Sequence, residues 1–114
     1  MYAGRIERRS EIRQPASLLL TYASESLALS GVATDLSPSG LFVETDLLDT
    51  VGTQAFLRLS DGARGRAEAV GEVVRTVTDP SNRPPGMGIR FAELGEGAAF
   101  WIRRYCNVFS TSLR

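Results

Sequence analysis

From Ala16 to Phe91 the apolar residues of this chain never sustain a helical repeat; they come in six short runs, each closed by turn-forming residues. The runs are 16–23, 27–34, 41–45, 53–59, 66–78 and 86–91. Ser24-Glu25-Ser26 separates the first two as a hairpin, and Asp35-Leu36-Ser37-Pro38-Ser39-Gly40 interrupts the apolar pattern as a turn before the third. A longer connection follows at 46–52, a turn at Ser60-Asp61-Gly62, and a loop at 79–85 that holds three prolines. Within the fourth run Ala55, Leu57 and Leu59 fall on one face, with Phe56 and Arg58 on the other. The fifth run is long enough to turn a corner, with Gly71 as the bend. Strands this short bury a core only by curling into one closed sheet or by stacking two, so the pattern predicts an antiparallel barrel or sandwich.

The period changes once. From Glu93 to Phe109, Ala98, Trp101, Ile102, Tyr105, Val108 and Phe109 share one side of a 3.6-residue wheel, with Glu96, Arg103, Arg104 and Asn107 opposite. This predicts a C-terminal amphipathic helix over 94–110, packed on the sheet. Phe100 falls among the polar residues, as a satellite packing contact or part of a partner-binding surface. Cys106, at the edge of the apolar face, reads as a packed small hydrophobe. Residues 1–14 carry six charges without an apolar period and read as a flexible arginine-rich arm, leaving 15–93 as the β domain.

Composition removes several functions. Of 114 residues none is histidine and one is cysteine, so the commonest general base, the commonest metal ligand and any internal disulfide are excluded, and an enzyme is not expected. The formal net charge is zero, which argues against a nucleic-acid polymer as partner. No apolar run approaches the length of a membrane span, and the N-terminus lacks a secretory signal, so no membrane insertion and a cytoplasmic location are expected. All 13 basic residues are arginine, the side chain suited to planar, bidentate recognition.

Two short motifs carry the chemistry. The first is Arg9-Ser10-Glu11-Ile12-Arg13, with Arg8 beside it. Guanine presents O6 and N7 as adjacent acceptors for an arginine fork, and arginine also neutralises phosphate. The second is Asp35-x-Ser37-x-x-Gly40. Asp35 can accept from the guanine N1–H and exocyclic amine, Ser37 offers a hydroxyl to a phosphate or base edge, and Gly40 permits a tight turn or close backbone approach.

In their order and their β-rich setting these motifs resemble the RxxxR and [DN]xSxxG signature of the PilZ domain family. The resemblance extends to Gly86-Met87-Gly88-Ile89-Arg90-Phe91 as the closing strand and to the helix after it, nearly the whole chain. It implies an all-β, six-stranded antiparallel PilZ-like barrel with a C-terminal α-helix, acting as a non-enzymatic receptor for cyclic di-GMP with no cofactor. It implies as ligand-binding residues Arg8, Arg9 and Arg13 on the arm and Asp35, Ser37 and Gly40 on the barrel, the arm closing over the ligand. With no output domain in the chain, the signal would pass to an unidentified protein partner, in motility, type IV pilus or biofilm regulation, from a monomer or homodimer. The alternative is a PilZ-like interaction module that does not bind the nucleotide.

Overall fold

The structure, a computed structural model, describes residues 14–62, 65–79 and 84–112, with side chains defined from Leu18 to Cys106 within them. Six strands, β1 (Gln14–Ala23), β2 (Ala28–Ser37), β3 (Gly40–Glu44), β4 (Gln54–Ser60), β5 (Arg66–Val77) and β6 (Gly86–Leu94), precede one helix, α1 (Ala98–Ser112). Every neighbouring pair is antiparallel and the ring closes in the order β1-β2-β3-β6-β5-β4, so the six predicted runs form a barrel rather than a sandwich. Alternation explains the interior. Leu18, Leu20 and Tyr22 of β1 and Ala55, Leu57 and Leu59 of β4 point inward, while Leu19, Phe56 and Arg58 point out. Gly71 also faces inward at a register shift of the β5–β6 ladder, where a Cβ would lie 2.5 Å from Ile89 and 2.8 Å from Leu57.

The two mouths of the barrel are sealed differently. Helix α1 covers one, burying Ala98, Ile102 and Cys106, which recur every four residues along a single stripe. Burial of Ile102 alone is worth about 2 kcal/mol, and packing of this kind, rather than propensity, holds a short helix. Trp101 and Tyr105 are half-buried beside the stripe with their rings stacked at 5.7 Å. Phe100 is 67% exposed, with the Arg104 guanidinium 5.7 Å over its ring. No helix among the described residues is long and apolar enough to cross a membrane.

At the other mouth the connection between β3 and β4 lays Asp49 against the β1–β2 turn. One Asp49 oxygen accepts from Tyr22 Oη and Ser24 Oγ, both at 2.6 Å, and the other accepts from Ser26 Oγ at 2.8 Å. The Asp49 amide donates to Met87 Sδ. Donation first from Ser24 and then from Tyr22 holds this carboxyl below the usual carboxylate range, while burial, reinforced by Asp49, pushes the Tyr22 phenol up.

Some boundaries differ from the sequence expectation. Strand β1 begins at Gln14 and contains Pro15, and β6 runs on to Leu94, so the helix starts at Ala98. Asp35–Gly40 is not an irregular turn: Asp35 and Ser37 belong to β2, Gly40 opens β3, and only Pro38-Ser39 joins them. Paired backbone on both sides overrides the turn preference of Asp and Ser. The expected arm up to residue 13, and the side chains of Val108 and Phe109, lie outside the described residues.

Candidate functional site

An extra residue in β2 decides where the second motif points. Ala33 pairs with Val43 and faces the core, yet the next pair is Asp35 with Phe42, so Thr34 is a bulge with no ladder pair in β3. Simple alternation from Ala33 would send Asp35 and Ser37 inward; the bulge reverses the phase, so Leu36 is buried in the core and Asp35 and Ser37 lie on the opposite side of the strand, Asp35 half-buried and Ser37 5% exposed at the edge of a surface pocket. The same device operates in β5. Val73 pairs with Ile89 and Arg75 with Gly88, leaving Val74 as the bulge and Arg75 on the outer face.

The registers align these residues in two rows across four strands. One row reads Asp35, Phe42, Gly88, Arg75; the other reads Ser37, Gly40, Arg90, Glu72. Three strand spacings separate the ends of each row, roughly 14 Å of arc. Between those ends lies a pocket of about 250 Å³, lined by Asp35, Ser37 and Ser39 on one side and by Arg75 and Arg90 on the other. Its floor is the backbone around Gly40-Leu41 and Gly88-Ile89. The Phe42 ring lies over Gly86, where a Cβ would meet it at 2.6 Å, and the Arg75 stem lies over Gly88, where a Cβ would meet it at 2.9 Å. The alternate glycines of β6 therefore make room for outer-face side chains of its two neighbours.

Gly40 has a specific reason to lack a side chain. It does not take the left-handed conformation; a Cβ there would lie 2.2 Å from the Ile89 carbonyl oxygen. Close approach of β3 to β6, rather than a tight turn, requires the glycine. Ser37 Oγ lies 3.3 Å from Ser39 Oγ, accepts from the Ser39 amide at 3.3 Å and reaches the Gly40 carbonyl at 3.4 Å. These distances sit at the weak limit of hydrogen bonding. Across the pocket Arg90 donates to Glu72 at 2.6 Å, and the Arg75 guanidinium lies 5.5 Å over the Phe42 ring.

Asp35, Ser37 and Gly40 thus come together at one pocket. Arg8, Arg9 and Arg13 lie outside the described residues. Sequence reading missed Arg75 and Arg90, because an arginine in a strand reads as a solvated face and nothing in the alternation announces a bulge. A larger cavity, about 470 Å³, lies near Phe56, Val70 and Leu94. It is the weaker candidate: its Arg58 and Glu68 face each other at 3.2 Å, and Asp35, Ser37 and Gly40 do not line it.

The PilZ domain family model matches residues 7–107. The chain belongs to the PilZ domain family. PilZ domains are cyclic di-GMP receptors, a binding family rather than a catalytic one. Similar solved structures are also PilZ proteins. The inhibitor of motility MotI/DgrA of Bacillus subtilis aligns at a TM-score of 0.80 and 20% identity, over 94% of this chain and 53% of that one. YcgR of Escherichia coli in complex with c-di-GMP aligns at 0.75 and 17%, over 94% and 48%. The PilZ domain of YcgR with c-di-GMP gives 0.66 and 18%, over 94% and 95%. At these identities the likeness concerns the fold, and this PilZ chain spans about half the length of the first two. No curated protein matches the sequence.

Proposed function

We propose that this PilZ domain is a non-enzymatic cyclic di-GMP receptor that holds the nucleotide between its outer-face pocket and the arm preceding β1. Asp35 accepts from the guanine N1–H and amine, Ser37 donates to a phosphate or base edge, and Arg8, Arg9 and Arg13 supply arginine forks and positive charge. The observation that carries the reading is the Thr34 bulge, which turns Asp35 and Ser37 of the family motif onto one pocket facing Arg75 and Arg90.

The route of the chain supports a role for the arm. Gln14 is paired with Leu36, between Asp35 and Ser37, and Arg13 is one peptide unit, 3.8 Å, before Gln14. A pocket of about 250 Å³ is also below the range of roughly 300–1,000 Å³ that encloses most small ligands, so a cyclic dinucleotide needs cover from a second element. Ligand closure reshapes this face of the barrel for a protein partner, acting from a monomer or homodimer in the cytoplasm. One of the aligned proteins points to motility as the output, MotI by its name as an inhibitor of motility; pilus and biofilm control are further outputs of the same reading.

Calorimetric titration with cyclic di-GMP tests the reading. Binding is expected at micromolar or tighter affinity, and Arg13→Ala and Asp35→Ala each weaken it about 10- to 100-fold, the loss of a hydrogen bond to a charged group. Absence of heat at tens of micromolar ligand would leave a protein-interaction module that does not bind the nucleotide.

A further inference from the structure

The outer pocket has a second wall that neither motif supplies. Three independent features prepare one residue there. The Val74 bulge reverses the phase of β5, so Arg75 leaves the core side of the strand and faces the pocket. Gly88, its cross-strand partner, has no side chain, and the Arg75 stem fills that space, 2.9 Å from where a Cβ would stand. The guanidinium ends over the Phe42 ring, which supports it from below. These contacts restrict a long side chain before any ligand arrives, and restriction of this kind lowers the entropy lost on binding.

Position in the row gives the chemistry. Asp35 and Arg75 occupy the two ends of the row that crosses β2, β3, β6 and β5, and both line one pocket whose floor beside that row is the backbone around Gly40-Leu41 and Ile89. A guanine laid on that floor presents its N1–H and amine to an acceptor at one edge and its O6 and N7 to a donor fork at another. Arg90 stands in the other row, opposite Gly40, and so does not share a row with Asp35.

We propose that Arg75 is a ligand-binding, specificity-determining residue of the barrel, its fork reading the O6/N7 edge of the guanine whose other edge is held by Asp35. This rests on the receptor reading above and adds that recognition is divided between the arm and the barrel wall. The test is calorimetric titration of cyclic di-GMP into wild type, Arg75→Ala, Arg75→Lys and Arg13→Ala, with thermal melts to establish that each variant is folded. Arg75→Ala is expected to weaken binding about 5- to 150-fold, the range for losing one bidentate guanine contact. Arg75→Lys, which keeps the charge and loses the fork, is expected to recover less than half of that loss on a logarithmic scale.

Wild-type affinity in Arg75→Lys would overturn the proposal, because charge alone would then suffice. Unchanged affinity in Arg75→Ala alongside strong loss in Arg13→Ala would overturn it while leaving the receptor reading intact. No binding by wild type would overturn both.

Discussion

Strand β2 begins and ends in a serine-bearing hairpin turn, and the two turns do opposite things. At the β1–β2 turn, Ser24 and Ser26 meet a buried carboxylate at 2.6 and 2.8 Å, and Tyr22 joins them. At the β2–β3 turn, Ser37 Oγ meets Ser39 Oγ, the Ser39 amide and the Gly40 carbonyl at 3.3–3.4 Å. Short bonds to an ionised acceptor are about twice as strong as neutral ones, and those near 3.4 Å contribute little. The difference does not lie in the serines. A neighbouring loop delivers Asp49 to one turn and makes it a plug, whereas the other turn faces an open pocket walled by Arg75 and Arg90. The Ser24 and Ser26 hydroxyls therefore serve stability at one turn, whereas the Ser37 hydroxyl is weakly held beside the proposed ligand at the other.

The contrast can be broken most forcefully at its centre. Asp49→Ala strands the hydroxyls of Tyr22 and Ser24 and is expected to destabilise the domain by about 3 kcal/mol in urea unfolding, with cyclic di-GMP affinity of the folded protein unchanged. Next comes Gly40→Ala. Its Cβ meets backbone, which cannot swing aside, so a loss of about 2 kcal/mol is expected together with weaker ligand binding, because β3 and β6 form the pocket floor. A full-stability Gly40→Ala protein would show that β3 and β6 can separate without cost.

A direct comparison of serines is smaller and sharper. Ser24→Ala is expected to cost about 1.5 kcal/mol of stability, and Ser37→Ala about 0.5 kcal/mol or less while weakening cyclic di-GMP binding. Equal stability losses would mean that the two turns are energetically alike.

The gentlest test is pH. The folded Asp49 carboxyl is depressed, so its stabilisation is complete above the unfolded value near 4 and disappears as pH falls through the folded value. The folded Tyr22 phenol is raised, so its contribution is complete below the unfolded value near 10 and is lost as pH climbs beyond it. Unfolding followed across pH should therefore show an acid and an alkaline decline, both reduced in Asp49→Ala.

Much of this architecture was legible before any coordinates. Apolar runs and the turns between them located all six strands, and alternation gave the inward face of β4, because half-buried strands must alternate. The helix was legible through Ala98, Trp101, Ile102 and Tyr105, although its start was placed several residues early because β6 continues through polar residues to Leu94. Asp35, Ser37 and Gly40 were legible as a motif but not as geometry. Thr34 looks like any strand residue, and only pairing with β3 reveals it as the one that reverses the phase. Arg75 was hidden for the same reason behind Val74. Asp49 was hidden differently: its partners lie 23 to 27 residues away, and no local pattern marks the acceptor for a distant turn.

Closure of the strand ring also limits how this domain can communicate. Each strand has a ladder partner on both sides for part of its length, so the ring offers no full-length edge for a partner's strand to extend, the route by which many open sheets recruit peptides. A protein that senses this barrel therefore reads chiefly side-chain relief, and the bulged face, where one inserted residue in β2 and one in β5 select which groups emerge, is where sequence change can rewrite that relief without unpicking the ring.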